Sequence, residues 1–505
     1  MQDTDYVQLI HEANVYDLAS NSPLQRAERL SSKLSNDIWL KREDLQPVHS
    51  FKLRGAGNRI AALSTDEIAA GVVCSSAGNH AQGVALAARR KNLSAKIVMP
   101  VTTPSIKIDA VRALGAEVVL FGDSYDEAQT KAQHIAEQEN RVFIHPFDDP
   151  LVIAGQGTIG KEILDAMDEA PDFIVVPIGG GGLMAGIASY VKSHKPEVTV
   201  LGVEPADSAS MQASLQAGKP VKLNQVGTFA DGVAVKQVGT ETFRLCQMHV
   251  DEVITVDTDE TCAAIQDLFE DTRSVVEPAG ALAVAAISRY CKQRNVQGKR
   301  FVAVNTGANM NFDRLRHVAE RAAIGKQTEA LVAVQIPEEP GSFQKFCAAL
   351  GKRAVTEFNY RYRHKSGAQL FVGFALSQGN SEKLSIIMDL GAQGYAVEDL
   401  SDNELAKLHV RHMVGGGAEG LSNERLYRFR FPERPGALTD FLDAVGKRWN
   451  ISLFHYRNHG SDYGRVLVGI QVADEQMAEF NAHLSELKFV HWDETDNPAF
   501  RLFLN

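Results

Sequence analysis

The chain of 505 residues is poor in cysteine, with only five, and no two of them form a C-x-x-C pair. Such scattered cysteines argue against a disulfide framework or a cysteine-based zinc site. They are typical of a protein that works in a reducing compartment. We therefore expect a cytoplasmic protein, and we expect no bound metal.

The chain also lacks an excess of positive charge, since 52 Lys and Arg stand against 63 Asp and Glu, a net charge of −11. This balance argues against nucleic acid or an anionic membrane as a partner. The most apolar stretch, residues 173–188, is interrupted by one proline and five glycines. It falls short of the roughly 18 unbroken apolar residues of a membrane-spanning helix, so no membrane segment is expected.

Between about residues 35 and 325, short apolar runs alternate with helical patterns. Apolar runs of this kind are typical of strands buried on both faces, and strand–helix alternation predicts parallel sheets. The predicted strands are Ile38–Lys41, Val72–Ser75, Lys96–Met99, Glu117–Leu120, Val142–Ile144, Phe173–Pro177, Thr199–Val203, Val253–Val256 and Phe301–Asn305. Ligands of such sheets bind beyond the carboxyl ends of the strands, so the loops there are the candidate sites.

A repeat follows in the last third of the chain. Residues 331–343 match residues 426–438, and both copies contain the sequence P-E-x-P-G. Each copy predicts the order strand, turn, helix, strand, hairpin, strand, helix, strand, and alternation in the first strand indicates an antiparallel or mixed sheet. We predict a catalytic domain over residues 1–325 and two α+β domains over 329–402 and 424–497, linked by a glycine-containing segment at 415–423.

Lys52 is the first candidate for chemistry, because it lies in the sequence S-F-K-L-R-G at the predicted start of a helix. Ser50 is placed to cap that helix. The helix N-terminus and the nearby Arg54 both favour a neutral lysine amine, which is the form that Schiff-base chemistry needs. A lysine in such a position is more commonly a solvated surface residue.

Three further loops follow predicted strands. Gly179, Gly180, Gly181, Gly182 and Leu183 join a strand to a helix, an arrangement in which several backbone N–H groups can bind one phosphate. The loop S-S-A-G-N-H, residues 75–80, is a second anion site suited to a carboxylate, although such loops are often simple helix caps. Thr306 could meet a ring nitrogen or bond its own backbone as a turn residue, and Glu277 could line the site or cap a helix.

Together the lysine motif, the S-A-G-N-H loop, the four glycines and the T-G-A-N loop resemble the fold type II pyridoxal phosphate enzymes, which are similar to the β subunit of tryptophan synthase. With the paired C-terminal repeats, the order resembles the biosynthetic threonine dehydratases (threonine ammonia-lyases). This resemblance runs from about residue 15 to the end. It implies an α/β fold with a two-lobed, open parallel-sheet catalytic unit and two ACT-like regulatory domains.

By this resemblance Lys52 binds the cofactor, pyridoxal 5′-phosphate, covalently, and Lys52 is the catalytic residue. The four glycines and Leu183 bind its phosphate, Asn79 bonds the ring's 3′-oxygen, and Thr306, where many relatives have serine, meets the ring nitrogen. The loop formed by Ser75, Ser76, Gly78 and His80 receives the substrate carboxylate. Of these residues, His80 is more commonly structural than catalytic.

The resemblance further implies L-threonine as substrate, with L-serine as an alternative, and 2-oxobutanoate and ammonia as products. It implies isoleucine as the inhibiting effector, valine as the opposing effector, and a homotetramer. Phe343 and Leu438 hold matching positions in the repeats and are candidate effector contacts, or else core residues.

Alternatives remain open at this point. Another enzyme of the same fold, such as a serine dehydratase, an amino-acid racemase or a threonine synthase, would use the same cofactor residues. The repeats could serve only as a dimerisation scaffold. A protein of a different class, an amino-acid sensor with an inert catalytic part, would have no reason to combine Lys52, Asn79, the glycine loop and Thr306.

Overall fold

The structure is a computed structural model that describes residues 5–337, 342–351, 353–361, 368–412, 423–432, 449–457, 463–487 and 489–504. Its contacts divide the chain into two compact units, Met1–Val318 and Ala319–Asn505. We call them the catalytic unit and the regulatory unit. Each is described by itself below.

The catalytic unit contains strands β1 to β10 and helices α1 to α13, and helix α14 crosses the boundary to the regulatory unit. The strands are β1 (Leu24–Arg26), β2 (Asp37–Arg42), β3 (Val72–Ser75), β4 (Ala95–Met99), β5 (Glu117–Leu120), β6 (Val142–Phe143), β7 (Phe173–Pro177), β8 (Thr199–Pro205), β9 (Glu252–Val256) and β10 (Arg300–Asn305). The helices are α1 (Tyr6–His11), α2 (Glu28–Leu34), α3 (Lys52–Ala61), α4 (Thr65–Ala70), α5 (Asn79–Arg90), α6 (Ser105–Ala113), α7 (Tyr125–Gln138), α8 (Pro150–Asp165), α9 (Gly182–His194), α10 (Ser210–Ala217), α11 (Thr240–His249), α12 (Thr258–Thr272), α13 (Pro278–Arg294) and α14 (Arg314–Gly325).

Two sheets form the two lobes of the catalytic unit. The larger has the order β1-β2-β10-β7-β8-β9 and the smaller the order β5-β4-β3-β6. All pairs are parallel except β1 with β2. Each of the nine predicted strands is confirmed, and β1, which has only three residues, is an antiparallel edge strand that the apolar pattern did not predict.

Burial and capping explain why these segments fold as they do. The central strands β3 and β7 are almost wholly buried, as expected of strands covered by helices on both faces. Capping boxes fix the starts of several helices: before α7, Ser124 bonds the backbone of Glu127, which bonds back. Helix α8 begins with the cap residue Asp149 followed by proline. With the starts of the helices fixed in this way, loops connect the carboxyl ends of the strands to the helices that follow.

The regulatory unit contains strands β11 to β18 and helices α15 to α19. The strands are β11 (Glu329–Ile336), β12 (Val355–Arg361), β13 (Ala368–Ala375), β14 (Ala396–Asp399), β15 (Glu424–Pro432), β16 (Asn450–Arg457), β17 (Tyr463–Gln471) and β18 (Val490–Asp493). The helices in the described ranges are α15 (Ser342–Leu350), α16 (Asn380–Ala392), α17 (Glu404–Leu408), α18 (Met477–Glu486) and α19 (Pro498–Phe503).

The two repeats form two antiparallel sheets of the same topology, β12-β13-β11-β14 and β16-β17-β15-β18. The alternating pattern predicted an antiparallel or mixed sheet, and the described strands of both repeats pair antiparallel. One face of the first sheet packs on Phe346, Leu350 and Ile386 of its own helices. The opposite face packs, through Leu331 and Phe371, on the second repeat.

No helix in the described parts of the chain combines the length and apolarity needed to cross a membrane. The longest, α13, has 17 residues. The predicted linker at 415–423, except for Asn423, and most of both P-E-x-P-G turns lie outside the described residues.

Candidate active site

Lys52 is the first residue of α3, as predicted, but Ser50 does not cap the helix. Phe51 holds the cap position, without a side-chain cap bond. Ser50 instead forms an isolated antiparallel bridge with Gly307, and its hydroxyl is buried without a partner among the described residues. The capping prediction is therefore wrong, because a long-range pairing determines the conformation of this segment. That pairing ties the lysine loop to the loop after β10.

The side chain of Lys52 is half-buried, and its amine makes one hydrogen bond within the described residues. Its Nζ donates to the backbone oxygen of Pro146 at 3.0 Å. Burial lowers the pKa of Lys52 to about 8, against an opposing effect from the carboxylate of Glu277. Removing an ammonium from water disfavours its charged form. The predicted tendency toward a neutral amine is present, and its main cause is burial.

Arg54 does not lower the pKa of Lys52, although its nearby position in the sequence predicted that it would. Its guanidinium is fully buried and bonds Oε1 of Glu43 at 2.8 Å and Oε1 of Glu162 at 2.6 Å. Two carboxylates thus balance its charge on the opposite side of α3. Arg54 holds the helix in place, and the prediction that it repels a proton from Lys52 is wrong.

The four glycines occupy the turn between β7 and α9, where side chains would not fit. A Cβ on Gly180 would overlap the ring of Phe147, and one on Gly182 would lie 2.8 Å from the backbone oxygen of Phe147. Gly181 has φ +97°, in the left-handed region that favours glycine. Helix α9 begins at Gly182, so its free N–H groups point into this turn. The arrangement suits a phosphate.

The loop formed by residues 145–148 was not singled out by the sequence. His145 accepts hydrogen bonds at Nδ1 from the backbone N–H groups of Phe147 and Asp148, at 3.2 and 2.8 Å. This fixes the loop so that Pro146 accepts from Lys52 while Phe147 packs on the glycine turn. Its role depends on backbone atoms and long-range packing, and no residue type in the sequence signals it.

Asn79 begins α5 and bonds residues from two other loops. Its Nδ2 donates to Oε1 of Glu277 at 2.6 Å, and its Oδ1 accepts from Nδ2 of Asn309 at 2.7 Å. Asn309 also donates to the backbone oxygen of Val48, at 2.8 Å. Asn79 is therefore held in one orientation, with one N–H of its amide still free to donate.

Glu277 lines the site, which decides between the two roles the sequence left open. It is the cap residue of α13 but makes no side-chain cap bond, and its carboxyl faces Asn79. Burial, and then the charge of Asp231, raises the pKa of Glu277 to about 7. Lys52 and Glu277 both have shifted pKa values, and the charge of Glu277 acts on Lys52; a group of shifted residues of this kind is characteristic of active sites.

Thr306 follows β10 and is buried, with only 3% of its surface exposed. Its hydroxyl has no hydrogen-bond partner among the described residues, although its backbone oxygen accepts from the N–H of Phe51 at 3.2 Å. A buried hydroxyl without a partner costs free energy. A ring nitrogen placed against Oγ1 would remove that cost.

The loop predicted to receive a carboxylate runs from the end of β3 into α5. The hydroxyl of Ser75 is buried and unpartnered among the described residues, and Ser76 accepts from the N–H of Gly78 at 3.2 Å. The ring of His80 lies 3.0 Å from the backbone oxygen of Ile144 through Nε2. Burial, followed by the charge of Lys52, lowers the pKa of His80 to about 3. His80 is thus neutral and held by the backbone.

Glu204, at the end of β8, also carries a shifted pKa, raised to about 7 by burial. Its carboxyl accepts from the N–H groups of Met211 and Gln212, at 2.8 Å each, and so caps α10. Within the described ranges, no group of three or more His, Cys, Asp or Glu residues could hold a metal ion.

Two predicted effector residues cannot be placed. The backbone of Phe343 lies in α15 but its side chain is outside the described residues, and Leu438 lies wholly outside them. The predicted catalytic and cofactor residues, by contrast, come together in the catalytic unit. Three features fit pyridoxal phosphate: the amine of Lys52, a glycine turn without room for side chains, and the Thr306 hydroxyl, which has no partner in the described part of the chain.

Comparisons with known proteins agree with this geometry. Residues 15–307 match the family model described as "Pyridoxal-phosphate dependent enzyme". Residues 320–410 and 415–504 match the model of the C-terminal regulatory domain of threonine dehydratase. The chain is 53% identical over 501 residues to the biosynthetic L-threonine dehydratase IlvA of Pasteurella multocida, covering 99% of this chain and 97% of that protein.

The biosynthetic L-threonine dehydratase IlvA of Escherichia coli is also 53% identical, over 500 residues, with the same coverage of 99% and 97%. Among solved structures, the processed form of threonine deaminase isoform 2 from Solanum lycopersicum is 50% identical, with a TM-score of 0.62. That match covers 63% of this chain and 92% of the other.

Proposed function

Because the chain belongs to the biosynthetic threonine dehydratase family of pyridoxal-phosphate-dependent enzymes, we propose that it converts L-threonine to 2-oxobutanoate and ammonia in isoleucine biosynthesis. One observation carries this proposal. Lys52, Asn79 and Thr306, together with the glycine turn, lie on loops that contact one another in the catalytic unit. The two regulatory repeats are what distinguishes this family from simpler enzymes with the same fold.

Lys52 has two tasks in this proposal. Its amine would hold pyridoxal phosphate through the cofactor's aldehyde, and as a free base the same amine would remove the proton from Cα of threonine. Bound pyridoxal phosphate supplies an aldehyde for this attachment and an electron-withdrawing ring. Burial prepares the amine, because a lysine whose pKa is about 8 is substantially neutral near that pH, whereas an ordinary lysine is not.

Three residues hold the ring in this proposal. Asn79, fixed by Glu277 and Asn309, donates its remaining amide N–H to the ring's 3′-oxygen. Thr306 offers a neutral hydroxyl to the ring nitrogen. A neutral hydroxyl would stabilise a protonated ring nitrogen less than a carboxylate would, so the bound cofactor would supply chemistry that favours elimination over transamination.

Two loops bind the charged groups. Gly179, Gly180, Gly181, Gly182 and Leu183 donate backbone N–H groups to the phosphate at the start of α9. The loop of Ser75, Ser76, Gly78 and His80 receives the substrate carboxylate, through the unpartnered Ser75 hydroxyl and through backbone N–H groups. His80 contributes by fixing this loop to the oxygen of Ile144.

The regulatory unit is proposed to bind small amino acids. Isoleucine is the inhibitor and valine the opposing ligand, and Phe343 and Leu438 remain predicted contacts. The domains are proposed to span residues 1–325, 329–402 and 424–497. The working form is a cytoplasmic homotetramer. Inhibition requires that isoleucine bind two states of the protein with different affinity.

The test uses the purified full chain. We expect a visible absorbance band from the lysine-bound cofactor and equal amounts of 2-oxobutanoate and ammonia from L-threonine. Isoleucine should lower the rate, and valine should restore it. Light scattering measures the oligomeric state in the same preparation.

Each alternative has its own signature. Formation of D-serine from L-serine, without keto acid from threonine, would indicate a racemase. Turnover of serine with none of threonine would indicate a serine dehydratase. A colourless protein that binds isoleucine would indicate a sensor with an inert catalytic unit. Turnover of threonine that isoleucine leaves unchanged would reduce the repeats to a scaffold.

A further inference from the structure

A short segment of the catalytic unit, residues 229–233, lies beside the candidate active site, and we call it the strap. A Cβ added to Gly232 would lie 3.3 Å from Oε1 of Glu277 and 3.8 Å from Nδ2 of Asn79. A Cβ added to Gly179 would lie 3.0 Å from the Cα atom of the strap's last residue. The strap is therefore next to residues of the proposed ring site and to the turn proposed to bind the phosphate.

Little regular structure supports the strap. It belongs to the connection between α10 and α11, a stretch that the structure describes throughout and that contains one short helical turn, the 3₁₀ turn Asp231–Val233. Connections of this kind are mobile unless side chains anchor them to the rest of the protein. The position of Gly232 therefore depends on the contacts made by the neighbouring side chains of the strap.

Asp231 supplies such an anchor, because two cations bond its carboxylate. Its Oδ2 accepts from Nζ of Lys107 on α6, and its Oδ1 accepts from Nη1 of Arg314 at 3.2 Å. The same Nη1 donates to the backbone oxygen of Phe229 at 3.1 Å, so the strap is held at two points. Burial alone would raise the pKa of Asp231, but the charges of Arg314 and Lys107 outweigh it and hold that pKa well below its usual range. Asp231 is therefore charged near neutral pH, and its charge adds to the effect of burial on Glu277.

The ion pair between Lys107 and Asp231 joins the two lobes of the catalytic unit. Helix α6 packs through Val111 on the core of the smaller sheet. Helix α11, at the end of the connection that contains the strap, packs through Phe243 on the core of the larger sheet. The loop proposed to receive the substrate carboxylate, residues 75–80, begins at the end of β3 in the smaller sheet. The pair thus helps to fix that loop relative to the larger lobe.

A second group of charges joins the same connection to the smaller lobe, but it is closer to water. Asp126 of α7 lies 3.2 Å from Nζ of Lys236 and 3.8 Å from Nζ of Lys222. These three side chains are between 37% and 64% exposed, whereas Lys107 is 13% and Asp231 is 24% exposed. Water screens exposed ion pairs, so they contribute little. The bridge through Asp231 is therefore the stronger of the two connections.

We propose that Asp231 is a positioning residue for threonine turnover. Bonded to Lys107 and Arg314, it keeps the strap against the ring site and holds the two lobes at the spacing that the substrate requires. It acts through the backbone of Gly232 and through α6, so it is distinct from the catalytic residue Lys52. The inference rests on the proposed function, because turnover of L-threonine is the activity that it concerns.

The test measures steady-state turnover of L-threonine by the full-length holoenzyme. Lys107→Met removes the charge and keeps the length of the side chain, and it should raise KM by about tenfold while kcat changes by less than about threefold, because it releases the lobe that carries the carboxylate loop. Asp231→Asn breaks both ion pairs and should lower kcat/KM by about a hundredfold. Lys107→Arg keeps the charge and should bring KM back to within about threefold of the unaltered value.

Two further measurements separate positioning from a general loss of structure. The double variant Lys107→Met/Asp231→Asn should lose no more than Asp231→Asn alone, because both changes break the same contact. Hydrogen–deuterium exchange of the strap should become about tenfold faster in Asp231→Asn, with exchange of the buried strand β7 unchanged. The matched controls are Arg112→Met and Asp109→Asn, which break an exposed ion pair of 3.8 Å on the same helix and should change neither the kinetics nor the exchange.

The outcomes distinguish this inference from the function on which it rests. If the unaltered chain does not turn over threonine, the proposed function fails, and the role of Asp231 in that turnover fails with it. If the unaltered chain turns over threonine and the Asp231→Asn and Lys107→Met variants keep its kcat and KM, only this inference is overturned. Losses that add in the double variant, or strap exchange that stays the same, would also overturn it. If Asp231→Asn does not fold, the rise of KM in Lys107→Met and its recovery in Lys107→Arg decide the question.

Discussion

The catalytic and regulatory units place their polar groups by different means. In the catalytic unit, loops at the carboxyl ends of two parallel sheets bring together Lys52, Asn79 and Thr306 from distant parts of the chain. In the regulatory unit, two copies of one antiparallel sheet pack through equivalent faces. The catalytic arrangement builds one site from residues that each occur once. The regulatory arrangement provides two related positions, one for each sheet, and their residues can differ.

This difference has a consequence for mutation. Each catalytic position is occupied by a residue that no other residue of the site duplicates, so a single change removes a function. The two regulatory repeats have the same sheet topology, so charged residues can change in one repeat while the other repeat keeps its charged residues. Gln335 and Arg430 illustrate this, since they hold the same place in the two sheets. Substitutions in each unit can test this contrast.

Lys52→Ala should cause the largest loss. Without the amine there is no covalent attachment of the cofactor and no base at Cα, so threonine turnover should fall by at least about a thousandfold. Steady-state production of 2-oxobutanoate and the visible absorbance band measure the two effects. Lys91→Ala, at an exposed position after α5, is the control and should leave both unchanged. Retention of the band in Lys52→Ala would contradict the assignment.

Gly180→Ala should be nearly as damaging, because its Cβ would overlap the ring of Phe147 and displace the phosphate loop. A displacement of this kind can cost about a hundredfold in rate, and we expect weaker retention of pyridoxal phosphate during dialysis. The control is Gly391→Ala in α16 of the regulatory unit, where a Cβ meets nothing within 4 Å. If the Gly180 variant retains cofactor normally, the loop does not hold the phosphate.

The rate at which the cofactor-free chain captures pyridoxal phosphate should depend on pH. The pKa of Lys52 is lowered by burial to about 8, and only the neutral amine attacks an aldehyde. The rate should therefore rise about tenfold per pH unit below 8 and level off above it. Stopped-flow absorbance measures it. A midpoint near the ordinary lysine value of 10.5 would show that burial does not prepare the amine.

Asn403→Ala should have the smallest effect. It removes a helix cap, Oδ1 accepting from the N–H of Ala406 at 3.0 Å, and the bond to Asn497 that joins the repeats. Loss of such a cap costs about 1 kcal/mol of stability. Thermal unfolding should show a small downward shift in the regulatory transition, with basal turnover unchanged. Asn481→Ala, at an exposed position in α18, is the control. A large loss of threonine turnover would show that this regulatory residue also affects catalysis, and would contradict the difference drawn between the two units.

Much of the fold and the site could be read from the sequence. Apolar runs identified the nine strands because strands of a parallel sheet are buried on both faces. The repeat identified two domains of one topology. Lys52, Asn79, the four glycines and Thr306 could be named because each belongs to a short motif whose residue types carry the chemistry. Their residue types were enough to propose a cofactor.

Other features depended on contacts that no local pattern encodes. The pairing of Ser50 with Gly307 replaced the expected cap, and Arg54 turned to Glu43 and Glu162 and away from the amine. The loop of Pro146 and Phe147 acts through a backbone oxygen and a ring contact. Such interactions join residues far apart in the chain.

Residue types, their periodicity and their order are properties of the sequence, and they were enough to identify the strands, the repeat and the cofactor motifs. The electrostatics of the site arise only in the folded protein. Folding brought the charge of Glu277 to bear on Lys52, lowered the pKa of that lysine through burial, and set Glu404 against Arg321 and Lys407 in the regulatory unit. The physical reason is that a pKa or a charge balance depends on desolvation and on neighbours in space, and folding alone brings those neighbours together.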